Sequence, residues 1–518
     1  CAGDPGRIPA PDGEAPGRWA TPIAPLWDVP PPRRGGGKRF LDLQNDVSVS
    51  DVDLARREGY VGVEHLKRYT TLGMATDQGK LANVPGLAVM AALTGRTIAE
   101  TGTTTYRPPY TPVTIGTIAG AETGRHFRPL RRTPMHDWHA RNGAVFTDAG
   151  LWQRPWYYPQ PGEDLDAAYR REMTAVRTAA GIVDISTLGK IEVQGPDAAA
   201  FLDRVYANDW ARLPVGRARY GVMLRDDGFV LDDGTTSRLG EHRYFMTTTT
   251  AEAEKVLAHL EFLLQAAWPD LRVHLTPATE QWAAMAVAGP RSRAVLQAAG
   301  SDIDLSNEAL PHLGAHEGQV AGLPVRLLRL SFSGELAYEL YTPAGFGEVL
   351  WERLVEAGRQ LGLVPYGVEA LGALRVEKGH VAGSEIDGRT TLDDLGLGRL
   401  ASTKKAFVGS VLRRREALQD PDRPGLVGLV PVDPAQRLRP GAILQPHGGP
   451  HAGHGLGHVT ATTWSPERGH YVALGLVSGG MGRAGEVLDA CFPLRDEVVA
   501  VRVTAPCFID PDGERLRA

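Results

Sequence analysis

RARYGVMLRDDGFVLDDGTTSRL, residues 217–239, decides how the chain is read. Tyr220, Val222 and Leu224 recur with period two, the pattern of a strand with one apolar face. Asp226-Asp227-Gly228 then breaks the run. Glycine takes positive φ without steric cost and aspartate tolerates it, which is hairpin chemistry. Phe229, Val230 and Leu231 return as a second strand, and Asp232 and Asp233 stand at its end, before Gly234. A carboxylate pair just past an apolar strand is either a solvated turn or the rim of a polar pocket. The hairpin alone leaves both open.

Outward from the hairpin, composition sets bounds. At 518 residues the chain exceeds a single core, so roughly two to four domains are expected. Apolar content of 42% and charged content of 23% are those of a soluble globular protein. A net charge of −5 argues against nucleic acid as the main partner. The longest apolar run, near Leu87–Leu93, is too short to span a bilayer, and no secretory signal is recognised. Cys1, Cys491 and Cys507 make no CxxC pair, metal comb or disulfide framework, so a cytoplasmic setting is expected.

Residues 38–112 read as a small helical module. Ser50 followed by Asp53 offers an N-cap with a carboxylate three residues on, and Gly59 ends that helix. Val63, Leu66 and Tyr69 share a face of the next. The segment TTTYRPPYTPV, 103–113, has too many prolines for a helix or central strand and reads as an extended strap. Between 113 and 160 a connector carries MHDWHARNGAVF and LWQRPWYYP, an aromatic cluster suited to core or interface. His136 and His139 lack a third ligand, so no metal is assigned. Beyond lies a repeat. The strand Lys190–Gln194 breaks at Gly195-Pro196 before a helix with Phe201, Leu202 and Val205 inward. The same break recurs 94 residues later at Gly289-Pro290, before Val295 and Leu296. Two copies of strand, Gly-Pro and helix predict a pseudo-duplicated α+β domain over 161–419. Helical spacing also links Val256, Leu260 and Leu263, and Phe346, Leu350 and Leu354. From 420 to 518, short apolar strands between Gly and Pro turns predict a small β-barrel. Its Gly-rich loop with His447, His451, His454 and His458 reads as a hairpin loop or a metal site.

Ordered motifs now carry a resemblance. Glu172, Arg177, Asp184 and Ser186, VQGPDAAAFL, SFSGELAYEL at 331–340, LRVEKGH at 374–380 and SEIDG at 384–388 resemble the aminomethyltransferase (glycine-cleavage T-protein) family. FLDLQNDV at 40–47 and GMATDQGK at 73–80 resemble the sarcosine oxidase α-subunit family, with a module similar to two-iron ferredoxin-like domains. The family's four cluster cysteines fall on Asp42, Gln44, Asp77 and Ala82, so the resemblance implies a scaffold without a cluster. Cys1-Ala2-Gly3-Asp4 resembles the closing motif of flavin- and pyridine-nucleotide-binding domains, or is an arbitrary polar leader. Residues 1–37 then read as the end of a truncated dinucleotide-binding domain and a linker, with NAD or FAD in the missing part.

The T-protein resemblance turns the carboxylate pair into a pocket. It implies a tetrahydrofolate site with Asp233 as catalytic acid–base and Asp232 beside it. Glu339 would read the pterin, since one carboxylate accepts two N–H bonds from its aminopyrimidine edge. Tyr220 would pack on the folate, and Phe332 stands where the family has a tyrosine. Arg375 and Glu377 match the family's RxE motif, either as pocket groups or as a structural charge pair with other neighbours. The arginine of the family's GxGARD falls on Leu371, a loss of charge. Three functions follow. One is the folate half of a sarcosine-oxidase-like complex, giving 5,10-methylenetetrahydrofolate and glycine, with FMN at the interface to a flavin-carrying β subunit and small γ and δ subunits. The others are a freestanding aminomethyltransferase and a non-catalytic folate-binding assembly subunit.

Overall fold

The computed structural model describes residues 24–30, 36–106, 108, 111, 113–124, 126–450 and 453–518. The opening Cys1–Asp4 motif, four of the eleven residues of the proline strap and His451 lie outside them. The chain divides into two compact units, residues 1–128 and 129–518.

In the first unit, β1 (Phe40–Asp42) and β2 (Val47–Ser48) pair ahead of helices Val49–Arg57, Val63–Thr70 and Asn83–Thr94. Val52, Ala55, Leu66, Leu72, Val89 and Met90 form its core. The first helix is capped two residues earlier than expected. Ser48 is the N-cap, Asp51 closes the capping box, and Glu58 and Gly59 end the helix. Tyr69 leaves the buried face that holds Val63 and Leu66 and stacks on Tyr60, with ring centroids 4.5 Å apart. Asp42, one of the four positions where the resemblance places a cluster cysteine, is buried. It accepts the N–H groups of Gln44 at 2.9 Å, Asn45 at 3.1 Å and Gly73 at 2.9 Å. A carboxylate here ties down the loop by hydrogen bonds.

The second unit opens with more structure than a connector. Helix His136–Arg141 lies between β3 (Arg131–Arg132) and β4 (Val145–Ala149), which join β5 (Trp152–Tyr157) in a three-stranded sheet. Trp138 packs edge-on to Trp351 in the core. Eleven strands follow: β6 (Ala180–Asp184), β7 (Gly189–Gln194), β8 (Arg217–Leu224), β9 (Val230–Gly240), β10 (Arg243–Thr248), β11 (His274–Pro277), β12 (Trp282–Ala288), β13 (Ala315–Val320), β14 (Leu323–Leu328), β15 (Ala337–Pro343) and β16 (Leu363–Pro365). They form two sheets, ordered β11-β7-β10-β9-β8 and β16-β6-β12-β15-β14-β13. Strand for strand the second repeats the first, with β6 inserted.

Each half carries one helix after its Gly-Pro break, Ala198–Val205 and Ser292–Ala298, and a second before its last strand, Ala253–Phe262 and Gly347–Gly358. The break needs glycine. Gly195 and Gly289 have φ of +134° and +124°, and a Cβ on them would lie 2.1 Å and 2.6 Å from the carbonyls of Arg272 and Ala179. Phe201, Leu202, Val256 and Leu260 fill the first half's core; Val295, Leu296, Leu350 and Leu354 fill the second's. Phe346 precedes its helix and is exposed. A third layer, with Tyr169, Met173, Val183, Phe245, Tyr341 and Leu374, joins the sheets. Burying each such side chain contributes about 1.5–3 kcal/mol.

The C-terminal strands β17 (Pro424–Pro431), β18 (Ile443–Pro446), β19 (Gly457–Ser465), β20 (His470–Ser478), β21 (Val487–Phe492) and β22 (Glu497–Thr504) close into a six-stranded barrel. The histidine loop is the β18–β19 hairpin connection, and His447 Nδ1 lies 2.8 Å from Asp489. A buried ion network fastens the barrel. Arg177 donates to Glu377 at 2.7 Å and to Glu335 at 2.9 Å, while Ser465 of β19 donates to Glu377.

Candidate functional site

The β8–β9 hairpin forms as read, with Gly228 at φ +91°. The carboxylate pair is not at its end. Asp232 and Asp233 are the third and fourth residues of an eleven-residue strand. The register explains why two adjacent acids have separate environments. Leu224 pairs with Val230 and Met223 with Asp232, so Leu231 is an extra residue, a β-bulge. A bulge inverts the side-chain alternation beyond it. Val230 and Asp233 therefore share the face of Tyr220 and Val222, while Asp232 falls on the face of Met223.

Asp233 lines a cavity of about 440 Å³ between the two halves of the duplicated domain. Tyr220, Phe332, Glu339 and Leu371 line it too. The rest of the lining is mainly apolar (Ile185, Leu188, Leu330 and alanines 286, 288 and 337) with threonine hydroxyls at 235 and 247–250, and it includes Arg154, Ser333 and Tyr366. Gly234 is needed beside Asp233, because a Cβ there would lie 2.1 Å from the Thr247 carbonyl.

Asp233 Oδ2 accepts the Tyr220 hydroxyl at 2.7 Å. Burial lifts its carboxyl above the ordinary 3.8, and the Tyr220 bond pulls back only part of the way. Burial and the neighbouring charge hold the Tyr220 phenol well above 10, so it remains a donor. Glu339, on β15, accepts from Tyr341 Oη at 2.6 Å. Burial lifts Glu339 above 4.5, while Tyr341 and the positive Lys190 oppose the shift. Lys190 is wholly buried. Its ammonium donates to the carbonyls of Ser186 at 2.6 Å, Leu188 at 3.1 Å and Thr279 at 3.2 Å, and burial pulls it down to about 7. The cavity thus presents two carboxyls, Asp233 and Glu339, both raised by burial, in a mainly apolar lining.

Two expected site residues stand elsewhere. Asp232 accepts the Thr249 N–H at 3.1 Å and lines an adjoining cavity of about 350 Å³ with Arg225, Lys255 and Asp387. Burial, with the Asp233 charge adding to it, pushes Asp232 up to about 7. Arg375 is off the cavity wall. Its guanidinium is held by Glu385 at 2.7 Å, the His380 carbonyl at 3.0 Å and Ser384 at 3.1 Å, an ion pair inside the fold. Both ring nitrogens of His139 are engaged, by Asp184 at 3.2 Å and Tyr158 at 2.9 Å. Among the described residues no three of His, Cys, Asp and Glu converge as a metal site. No helix among them is long and apolar enough to cross a membrane.

Sequence reasoning missed Arg154, Tyr366 and the threonines, all on the cavity wall. The run MTTTT at 246–250 was the available signal. Four hydroxyls in succession at a strand end suit a polar lining.

Comparison with known proteins gives three family matches: the GCVT N-terminal domain over residues 135–405, the sarcosine oxidase A3 domain over 36–122 and the glycine cleavage T-protein C-terminal barrel domain over 425–510. The first takes in residues 135–160, which the sequence reading assigns to a connector. The chain is 51% identical to the sarcosine oxidase subunit alpha of Rhizobium meliloti over 95% of its length, and spans 50% of that relative. It is 33% identical to an aminomethyltransferase of Deinococcus deserti, covering 68% of this chain and 91% of the relative. The crystal structure of the Bartonella henselae glycine cleavage aminomethyltransferase superposes with a TM-score of 0.64 at 27% identity, over 74% of this chain and 99% of the other.

Proposed function

The chain belongs to the aminomethyltransferase (glycine-cleavage T-protein) family and is homologous to about half the length of sarcosine oxidase α subunits, and from that premise we propose that it is the folate half of a sarcosine-oxidase-like complex. The observation that carries this is the single cavity presenting Asp233 and Glu339 from opposite halves of the duplication. In this reading a flavin-carrying β subunit, with FMN at its interface, oxidises sarcosine or a related N-methyl amine. Small γ and δ subunits complete the assembly, in the cytoplasm, and NAD or FAD belongs to the half of such a subunit that this chain does not match. The A3 module favours this over a freestanding aminomethyltransferase.

Tetrahydrofolate supplies the nucleophilic amine that captures the one-carbon unit. Glu339 holds the aminopyrimidine edge of the pterin by accepting two N–H bonds. Tyr220 and Phe332 flank the ring, and the apolar wall excludes water from the reactive carbon. Asp233 takes the proton released by the attacking amine and stabilises the cationic iminium beside it; its raised pKa brings its basicity toward neutral pH. The bond from the carbon to the glycine nitrogen breaks as Asp233 returns the proton to that nitrogen, glycine leaves, and the second folate nitrogen closes on the iminium carbon with loss of its own proton, giving 5,10-methylenetetrahydrofolate.

Equilibrium titration tests the binding half. The protein should bind tetrahydrofolate, and Glu339→Gln should weaken it by about 10-fold or more, because one acceptor becomes a donor facing an N–H. Affinity should also fall on the acid side with a midpoint above 4.5, where the Glu339 carboxylate becomes protonated. A Glu339→Gln variant that binds as the parent does would remove Glu339 from the site.

A further inference from the structure

We propose that Arg154 binds the folate: its guanidinium donates to the pterin carbonyl oxygen next to the N–H that Glu339 accepts. This rests on the folate reading above and adds one group to that site. Arg154 is the third residue of β5, opposite Thr147 of β4, and it lines the cavity. Among the described residues it is the only cationic side chain on that wall.

Its surroundings leave the cation unmatched. Nη2 donates to the Asp184 main-chain carbonyl at 3.1 Å, while Nε is sealed from water and has no partner. No carboxylate among the described residues pairs with it. Asp184 beside it is committed to His139 at 3.2 Å and to the Ser186 N–H at 2.8 Å. A buried guanidinium that lines a cavity without an ion pair is costly until an acceptor arrives there. Arginine can only donate, so the group it awaits is an acceptor.

Folate offers acceptors at two ends, the pterin and the glutamyl carboxylates. Glu339 lines the same cavity and, in the reading above, holds the pterin's donor edge, on which the carbonyl oxygen adjoins the N–H. Glutamyl carboxylates are hydrated, whereas the Arg154 guanidinium is buried. Leu371 completes the argument. It lines the same cavity at the position where the T-protein pattern has arginine. Leu371 on helix Val368–Lys378 and Arg154 on β5 line one cavity, so a cation placed on the helix can stand in for the one on the strand.

The test is a set of equilibrium titrations on the full chain. The ligands are tetrahydrofolate, tetrahydroaminopterin, which has an amine in place of the carbonyl, and 6-methyltetrahydropterin, which has no glutamyl tail. Arg154→Met should weaken tetrahydrofolate about 10- to 100-fold, the range for a hydrogen bond to a charged group. The tail-less pterin should lose the same factor and the amino analogue much less. Arg154→Met with Leu371→Arg should recover part of the loss. Arg154→Lys, which keeps charge without the planar fork, should fall between and gives the same comparison where Arg154→Met unfolds. Unchanged tetrahydrofolate affinity in folded Arg154→Met overturns the assignment, as does a loss confined to the ligands with tails. A parent protein that binds none of the three overturns the folate reading itself.

Discussion

At the scale of residues, two adjacent aspartates do different work because successive strand residues face opposite sides of the sheet, and the bulge at Leu231 sets which of them meets the cavity. Asp233 meets the cavity and Tyr220; Asp232 meets a main-chain N–H. That division has a thermodynamic signature. Asp232 has a folded-state pKa of about 7, above the ordinary 3.8. Between those values the folded protein binds more protons than the unfolded one, so stability falls as pH rises through that window. Asp232→Asn removes the titration and keeps an acceptor for Thr249. It should leave stability unchanged below pH 4 and raise it by on the order of 1–3 kcal/mol at pH 8, since a tenfold change in proton affinity is worth about 1.4 kcal/mol. Denaturant unfolding at the two pH values measures this, and equal stability changes at both would contradict the assignment.

At the scale of elements, the strand around Gly234 is the tightest fit in the site. Gly234→Ala places a Cβ 2.1 Å from the Thr247 carbonyl and should wedge β9 from β10. A loss of about 1–3 kcal/mol is expected, with weaker folate binding. Thermal unfolding and titration check it, and a variant as stable as the parent would mean the strands absorb the methyl. The same elements mark what was legible in the sequence. Period-two patterning found β8, and the Asp-Asp-Gly turn found the hairpin, because both are local. The Gly-Pro repeat exposed the duplication, since positive φ at both glycines demands the residue. The bulge at Leu231 was not legible: nothing local separates an extra residue from a strand that simply ends. Asp232 and Arg375 were carried to the cavity by motif position, but partners distant in sequence, Thr249 and Glu385, hold them away. Arg154 was hidden in an aromatic stretch that reads as core, and only the fold brings that stretch to the cavity.

At the scale of the whole molecule, the two units have separate cores. Residues 129–518 alone should therefore fold and bind tetrahydrofolate within about 3-fold of the full chain, a factor under 1 kcal/mol. A larger loss on titration would place part of the site in the first unit. That unit should purify without stoichiometric iron or acid-labile sulfide, because Asp42 and Asp77 instead accept loop N–H groups. The account's central claim is that Asp233 directs the one-carbon unit to folate. Its most direct measurement follows methylene capture by tetrahydrofolate and amine oxidation separately, in the complex reconstituted with its flavin-carrying partner. Asp233→Asn should cut capture by about 10²–10⁴ while oxidation proceeds nearly unchanged and the carbon leaves as formaldehyde. Capture by Asp233→Asn at the parent rate would contradict the account.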